Sequence, residues 1–190
     1  MKVAVLKGSP RGRKSYSSRI ADAFVDGARS AGCKVDVFDT GRANIHPCIG
    51  CMKCDGAKAP CVFDDDFTEI GRSILDADVV VYATPLYYHA PSPQLLSAVS
   101  RLHGIDDLVR GTGKRAYLFV TGYNPDASFM DGVKAWWSTD LRYLGWQDAG
   151  TLFVHGVQSR DCEALVRAIE QAREIGARLE PADTDHYSIR

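Results

Sequence analysis

Four cysteines, Cys48, Cys51, Cys54 and Cys61, fall within fourteen residues in the run HPCIGCMKCDGAKAPC, spaced C-x2-C-x2-C-x6-C. Thiolates gathered this closely ligate metal or do redox work, because the deprotonated sulfur is both ligand and nucleophile. A [4Fe–4S] cluster needs four thiolates; three cysteines at x2 spacing wrap one side and a fourth from further along closes it. Zinc also takes four cysteines, but usually as two C-x2-C knuckles set apart by a longer stretch, whereas three cysteines here crowd one knuckle. Cys51 and Cys54 also form a C-x-x-C pair able to close a disulfide, although not at the helix start that activates such pairs. The cluster is the first reading, free or disulfide-bonded thiols the second, zinc the third. Cys33 and Cys162 lie in other elements and read as small core or surface residues.

The rest of the chain must position this run. Its 190 residues fit one domain over 1–190 with enough chain to bury a core. A net charge of -1 gives no footprint for nucleic acid or an anionic membrane. No apolar stretch is long enough to span a bilayer. The N-terminal MKVAVLKGSPRGRK reads as a buried strand and turn, not a signal peptide. The cytoplasm is the expected compartment, where clustered cysteines more often bind metal than form structural disulfides.

Strand and helix signals alternate along the chain. Val3–Lys7 is a strand closed by Gly8-Ser9-Pro10. Ile20, Phe24 and Ala28 recur at helical spacing, so residues 16–31 read as a helix stopped by Gly32. Val35–Phe38 is a second strand. Residues 41–66 have no clear period and hold the cysteines; they read as an insertion after strand two, too long for an ordinary connection. Asp64-Asp65-Asp66 precedes Phe67, Ile70, Ile74 and Leu75 and suits a helix N-terminus. Ala77–Ala83 is a third strand ended by Pro85, Arg115–Val120 a fourth and Leu152–Val154 part of a fifth. Helices are expected around Leu95–Leu102, Val133–Leu144 and Leu165–Leu179, and 181–190 as a polar tail. Five strands each followed by a helix imply a doubly wound, five-stranded parallel sheet in three α/β/α layers. Trp136 lies off the Val133–Trp137–Leu141 stripe, where it either flanks the core or marks a subunit contact.

Ligands of such sheets bind outside the carboxyl ends of the strands. The loop after strand one, GSPRGRKSYSS (8–18), is rich in hydroxyls and carries Arg11, Arg13 and Lys14. It fits neither a P-loop, because Arg13 stands at the second glycine position, nor the G-x-G-x-x-G dinucleotide fingerprint. A hydroxyl-lined monophosphate site at a helix N-terminus remains. The loop after strand three, ATPLYYHAPSP (83–93), is flat, rigid and aromatic, which suits a planar ring. His89 within it is given no catalytic role. The loop after strand four, TGYNPDASF (121–129), brings Gly122 for close backbone approach and Tyr123 to flank a ring. A phosphate loop and two ring-flanking loops on one sheet edge are a layout for FMN.

On GSPR (8–11), CIGCMKC with Cys61 and the DDDF run, AD-VVVYATPLY (77–87) and TGY (121–123), the chain resembles the flavodoxin-like NAD(P)H-dependent FMN reductases, and within them the iron–sulfur flavoproteins. The resemblance spans nearly the whole chain. It implies FMN phosphate contacts at Ser9, Arg11, Ser15, Ser17 and Ser18, and ring and ribityl contacts at Pro85, Leu86, Tyr87, Tyr88, Thr121, Gly122 and Tyr123. Relatives carry a short Gly/Ser-Asn-Thr segment after GSPR; here it reads GRKSYSS with an extra residue, so the contacts within Ser15–Ser18 are assigned as a group. It further implies a [4Fe–4S] cluster on Cys48, Cys51, Cys54 and Cys61, and a homodimer with the flavin near the subunit interface.

The expected chemistry is an FMN-dependent oxidoreductase that takes hydride from NAD(P)H and passes electrons to a quinone, flavin, oxygen or protein acceptor. No side-chain acid or base is required, because the flavin carries the reaction. Two other classes compete: a flavodoxin-type carrier reduced by a partner protein, and a nucleotide-binding α/β protein with a zinc knob.

Overall fold

The computed structural model describes residues 1–180; the tail expected at 181–190 lies outside the described residues. Five parallel strands run in the order β2-β1-β3-β5-β6, comprising β1 (Lys2–Lys7), β2 (Lys34–Phe38), β3 (Val79–Tyr87), β5 (Arg115–Thr121) and β6 (Gln147–Val154). This is the flavodoxin strand order, 2-1-3-4-5, once the two-residue β4 (Ala90–Pro91), which pairs antiparallel with the end of β3, is set aside. The helices are α1 (Tyr16–Ser30), α2 (Phe67–Asp76), α3 (Pro93–Ser100), α4 (Asp106–Val109), α5 (Asp131–Leu144) and α6 (Glu163–Ala177).

Alternation along the strands divides the core into two faces. Ala4, Leu6, Val80, Tyr82, Leu118 and Val120 face α2, α3 and α5. Val3, Val5, Val79, Val81, Tyr117 and Phe119 face α1 and α6. The three expected layers are present. On the second face α1 and α6 touch backbone to backbone: a Cβ on Gly27 would lie 2.1 Å from the Arg173 carbonyl oxygen, and one on Gly176 would lie 2.2 Å from that of Phe24.

Several boundaries differ from expectation. Pro85 does not end its strand: β3 continues to Tyr87, with Pro85 in register with Thr121. A proline is tolerated there because the ladder is finishing and no donor is required of it. β6 begins at Gln147, ahead of its apolar end, since an edge strand needs only one buried face. The helix expected through Leu102 stops at Ser100 and tightens into a 3₁₀ turn, Arg101–Ile105. α6 ends at Ala177, with Leu179 buried just beyond it. Trp136 flanks the core, its ring 6.4 Å from Tyr82 and 6.2 Å from Trp137.

Two buried polar atoms on this face, Tyr82 Oη and Asp140 Oδ2, have no hydrogen-bond partner among the described residues. Burial, with Asp140 nearby, pushes the Tyr82 phenol up, and burial pushes the Asp140 carboxyl up to about 6. A carboxyl raised from its usual 3.8 costs stability as it ionises, so the penalty grows from pH 3.8 to about 6 and is complete above that. Asp140→Asn is therefore expected to raise stability at pH 7 by about 1 kcal/mol and to change little at pH 4. Urea denaturation at the two pH values measures it; an equal effect at both would contradict the assignment.

Candidate functional site

The carboxyl ends of β1, β3 and β5 lie side by side, with Lys7 paired to Ala83 and Ala83 to Phe119. Their loops are tied together. The Gly8 amide donates to the Ala83 carbonyl at 2.8 Å, and the Ser92 hydroxyl donates to the Gly8 carbonyl at 2.6 Å. Ser92 also receives the Leu95 amide as the α3 cap, and its own amide donates to Thr84 Oγ1. One serine thus joins the loops after β1 and β3 to the start of a helix.

The loop after β1 is a nest of hydroxyls. Ser9, Ser15, Ser17 and Ser18 are all buried. Ser15 caps α1, accepting from the Ser18 amide at 3.2 Å, and its hydroxyl lies 3.0 Å from that of Ser17. The first-turn amides of Tyr16 and Ser17 precede any intrahelical acceptor and remain available to an anion, as does the positive end of the helix. Arg11 stands exposed at the edge of the nest, its guanidinium 5.6 Å over the Tyr16 ring. Gly41, after β2, lies against the back of this loop: a Cβ there would sit 2.1 Å from the Ser9 carbonyl oxygen. Buried neutral hydroxyls, helix-start amides and one cation form a donor set suited to a phosphate monoester.

The other two loops build an apolar ledge beside it. Pro85 and Leu86 are half-buried, Thr121 and Gly122 buried. A Cβ on Gly122 would lie 2.7 Å from Met130 Cε and 3.6 Å from Leu86 Cδ2, so the glycine keeps the loops after β3 and β5 in close contact. Tyr88 and His89 form the two-residue turn between β3 and β4, both with positive φ (46° and 66°). Such a turn normally takes Asn-Gly; two bulky residues there are strained. The turn is held from behind by the His89 ring stacked on Phe129 and by His89 Nδ1, 3.1 Å from the Phe129 carbonyl. It leaves Tyr88 99% and Tyr123 74% exposed, with Tyr87 at the margin.

The four cysteines lie between β2 and α2, in backbone with no regular element but a short 3₁₀ turn, Asp55–Ala57. Gly50, Met52, Asp55, Gly56 and Ala57 all have positive φ, which curls the chain back on itself. All four cysteines are unpaired thiols and line one small pocket with Met52, Val62 and Phe63. Its enclosed space is about 10 Å³, room for about one water. Among the described residues no three His, Cys, Asp or Glu side chains converge on a single-ion position. The donor set and the apolar walls suit an iron–sulfur cube; its volume requires the rim to swing outward. That rim is free to do so: Cys51 is exposed, and the Cβ position of Gly50 meets nothing within 4 Å. The Gly50 amide donates to Cys48 Sγ at 3.4 Å.

A second cavity, of about 360 Å³, lies behind Cys61 between this segment, α2 and α4; Phe63, Arg101 and Gly104 wall both spaces. Arg101 is the residue that sequence reading missed. Its side chain and that of Asp65 are each 2% exposed and bridge at 2.7 Å. Burial works to raise the Asp65 carboxyl, but the Arg101 guanidinium and the amides of His46 and Phe67 outweigh it and hold it below the usual range. The Asp64–Asp66 run is therefore only partly a helix cap. Asp65 Oδ1 accepts the Phe67 amide at the start of α2, but Oδ2 serves Arg101 and His46, and Asp66 accepts the Asn44 amide.

The sequence model of the NADPH-dependent FMN reductase family matches residues 1–148. The chain belongs to this family. The matched part contains β1 to β5 and α1 to α5, hence all three strand-end loops and the cysteine run. Among curated relatives, this reductase is 28% identical to an iron–sulfur flavoprotein of Archaeoglobus fulgidus over 97% of this chain and 86% of the relative. It is 29% identical to one of Methanocaldococcus jannaschii over 55% of this chain and 52% of the relative. Its fold is shared with an NAD(P)H:quinone oxidoreductase from Methanothermobacter marburgensis, with a TM-score of 0.76 at 18% identity, covering 98% of this chain and 99% of that one. It is also shared with an FMN-dependent NADH-azoreductase from Bacillus anthracis in complex with FMN, with a TM-score of 0.73 at 14% identity, covering 94% of this chain and 99% of that one. The reductase is thus an oxidoreductase with a flavodoxin-like fold.

Proposed function

We propose that the chain binds FMN on the edge formed by the loops after β1, β3 and β5, takes hydride from NAD(P)H, and passes electrons to an acceptor with a [4Fe–4S] cluster on Cys48, Cys51, Cys54 and Cys61 as the outlet. The observation that carries it is the convergence, on one sheet edge, of a buried hydroxyl nest at a helix start with a two-loop apolar ledge. When bound, the flavin supplies hydride acceptance and one-electron release. The protein supplies placement. Ser9, Ser15, Ser17, Ser18 and the Tyr16 and Ser17 amides would hold the phosphate, with the exposed Arg11 as counter-charge. Pro85, Leu86, Thr121 and Gly122 would supply the apolar surface that holds the flavin, and Tyr87, Tyr88 and Tyr123 would supply aromatic contacts beside it.

The relatives' names support this reading: one is a quinone oxidoreductase, another an FMN-dependent azoreductase, and the curated ones are iron–sulfur flavoproteins. A small-molecule acceptor such as a quinone, flavin or oxygen, or a protein, fits an exposed outlet. One domain over 1–190, a homodimer and a cytoplasmic site complete the proposal; no helix among the described residues is long and apolar enough to cross a membrane.

Protein purified without oxygen should show flavin bands together with iron and acid-labile sulfide near four of each per chain, as a [4Fe–4S] cluster requires. It should oxidise NAD(P)H when given an acceptor. No flavin binding overturns the reading. Flavin without iron leaves an FMN reductase with free thiols, and reduction by a protein donor but not by NAD(P)H leaves a carrier.

A further inference from the structure

We propose that Arg101 is a positioning residue that clamps the neck of the four-cysteine loop, so that the thiols are gathered before any cluster is present. The proposal rests on the cluster reading for its purpose but not for its geometry. Arg101 Nη1 donates to the His46 carbonyl at 2.9 Å, two residues before Cys48, and Nη2 donates to the Phe63 carbonyl at 3.2 Å, two residues after Cys61. One side chain therefore holds both ends of the loop. Asp65 fixes the guanidinium from behind and also takes the His46 amide at 2.9 Å. The His46 and Phe63 rings stack across the neck, 4.7 Å apart and 9° from parallel, and Arg101 lies over Phe63 and Phe67 at 5.3 and 5.1 Å. Ser100, next in the chain, accepts the Cys48 amide at 3.0 Å.

The physical gain is in entropy. A loop that must both close and bind loses freedom at the moment of binding; one already closed has lost it on folding. Beyond the neck the loop body is held mainly at its 3₁₀ turn, where Cys54 is buried with Sγ 4.0 Å from the His103 carbonyl and Gly56 packs against Asp107, while its rim is exposed and curled by five positive-φ residues. The neck carries nearly all the buried polar contacts to the 3₁₀ turn at Arg101. The planar five-donor fork is needed for this: a lysine offers a point charge and cannot span two carbonyls and a carboxylate in one plane.

The test uses full-length, FMN-loaded protein. Arg101→Met alone strands a buried carboxylate and endangers folding, so the decisive variant is Arg101→Met with Asp65→Asn, which removes the pair together. Amide hydrogen exchange is measured before cluster loading. The His46 and Cys48 amides should exchange roughly tenfold or more faster than in wild type while β1 and β3 amides are unchanged. After anaerobic loading with iron and sulfide, bound iron per flavin should fall to a small fraction of the wild-type ratio, and Arg101→Lys should recover part of it. Unchanged protection with a full iron-to-flavin ratio overturns the clamp. Iron and flavin falling together also overturns it, because a general loss of structure would do that. Wild type that binds flavin but no iron overturns the cluster reading, and the exchange comparison then decides the clamp by itself.

Discussion

Replacing Gly41 with alanine is expected to weaken FMN binding by roughly 10- to 100-fold, as an overpacking cost of about 1–3 kcal/mol would. The new Cβ would stand 2.1 Å from the Ser9 carbonyl oxygen, 2.3 Å from its carbon and 2.9 Å from Pro10 N. These are backbone atoms, so no rotamer change relieves the clash. Gly41 cannot retreat either: its amide donates to the Lys7 carbonyl at 2.9 Å, and Thr40 Oγ1 donates to the same oxygen at 3.2 Å. The part that gives way is the Ser9–Pro10 turn, which carries a hydroxyl of the phosphate nest. Flavin fluorescence titration measures the loss. Gly104→Ala, whose Cβ would meet nothing within 4 Å, is the control and should bind FMN as wild type does. Wild-type affinity in the Gly41 variant would show that this nest does not hold the phosphate.

Gly176→Ala is expected to cost about 3–5 kcal/mol, a large share of a typical domain's stability of about 5–15 kcal/mol. The sign is the informative part, because alanine is the better helix former by about 1 kcal/mol. The contact overrides propensity: the added Cβ would lie 2.2 Å from the Phe24 carbonyl oxygen and 2.8 Å from the Ala28 amide nitrogen. Gly27→Ala meets the mirror situation, 2.1 Å from the Arg173 carbonyl oxygen and 2.8 Å from the Ala177 nitrogen. Either variant forces α1 and α6 apart. Once they are apart the second methyl meets less, so the double variant should cost less than the sum of the singles. Urea denaturation of the three proteins checks this. Additive losses, or stabilisation by either alanine, would show that the helices do not meet there in solution.

The sheet was legible because each strand carries its own signal. Val3–Lys7 and the DVVVYA run are continuous apolar stretches, and both faces of a doubly wound sheet demand that. The loops after β1 and β3 were legible from their composition, since hydroxyls at a helix start and prolines at a strand end have local consequences. What escaped notice acts across long sequence separations. Arg101 reads as one more charge after an apolar stripe; only folding brings Asp65 and the carbonyls of His46 and Phe63 to it. Gly41 and Gly176 look like any other glycines until the opposing carbonyls are in place. Pro85 misled because proline usually stops a strand, and here β3 was already running out of partners.

The meeting of α1 with α6 has a consequence for the order of events during synthesis. The helix that Ser15 caps, at the edge of the hydroxyl nest, is made well before α6, its packing partner. Until residues 163–177 emerge, α1 can pack on the sheet but lacks the backbone contacts it makes with α6. The growing chain can therefore settle its cysteine loop against α2 and the Arg101 turn before α1 has its final packing. A lesion that stops translation short of α6 is expected to leave α1 without that support.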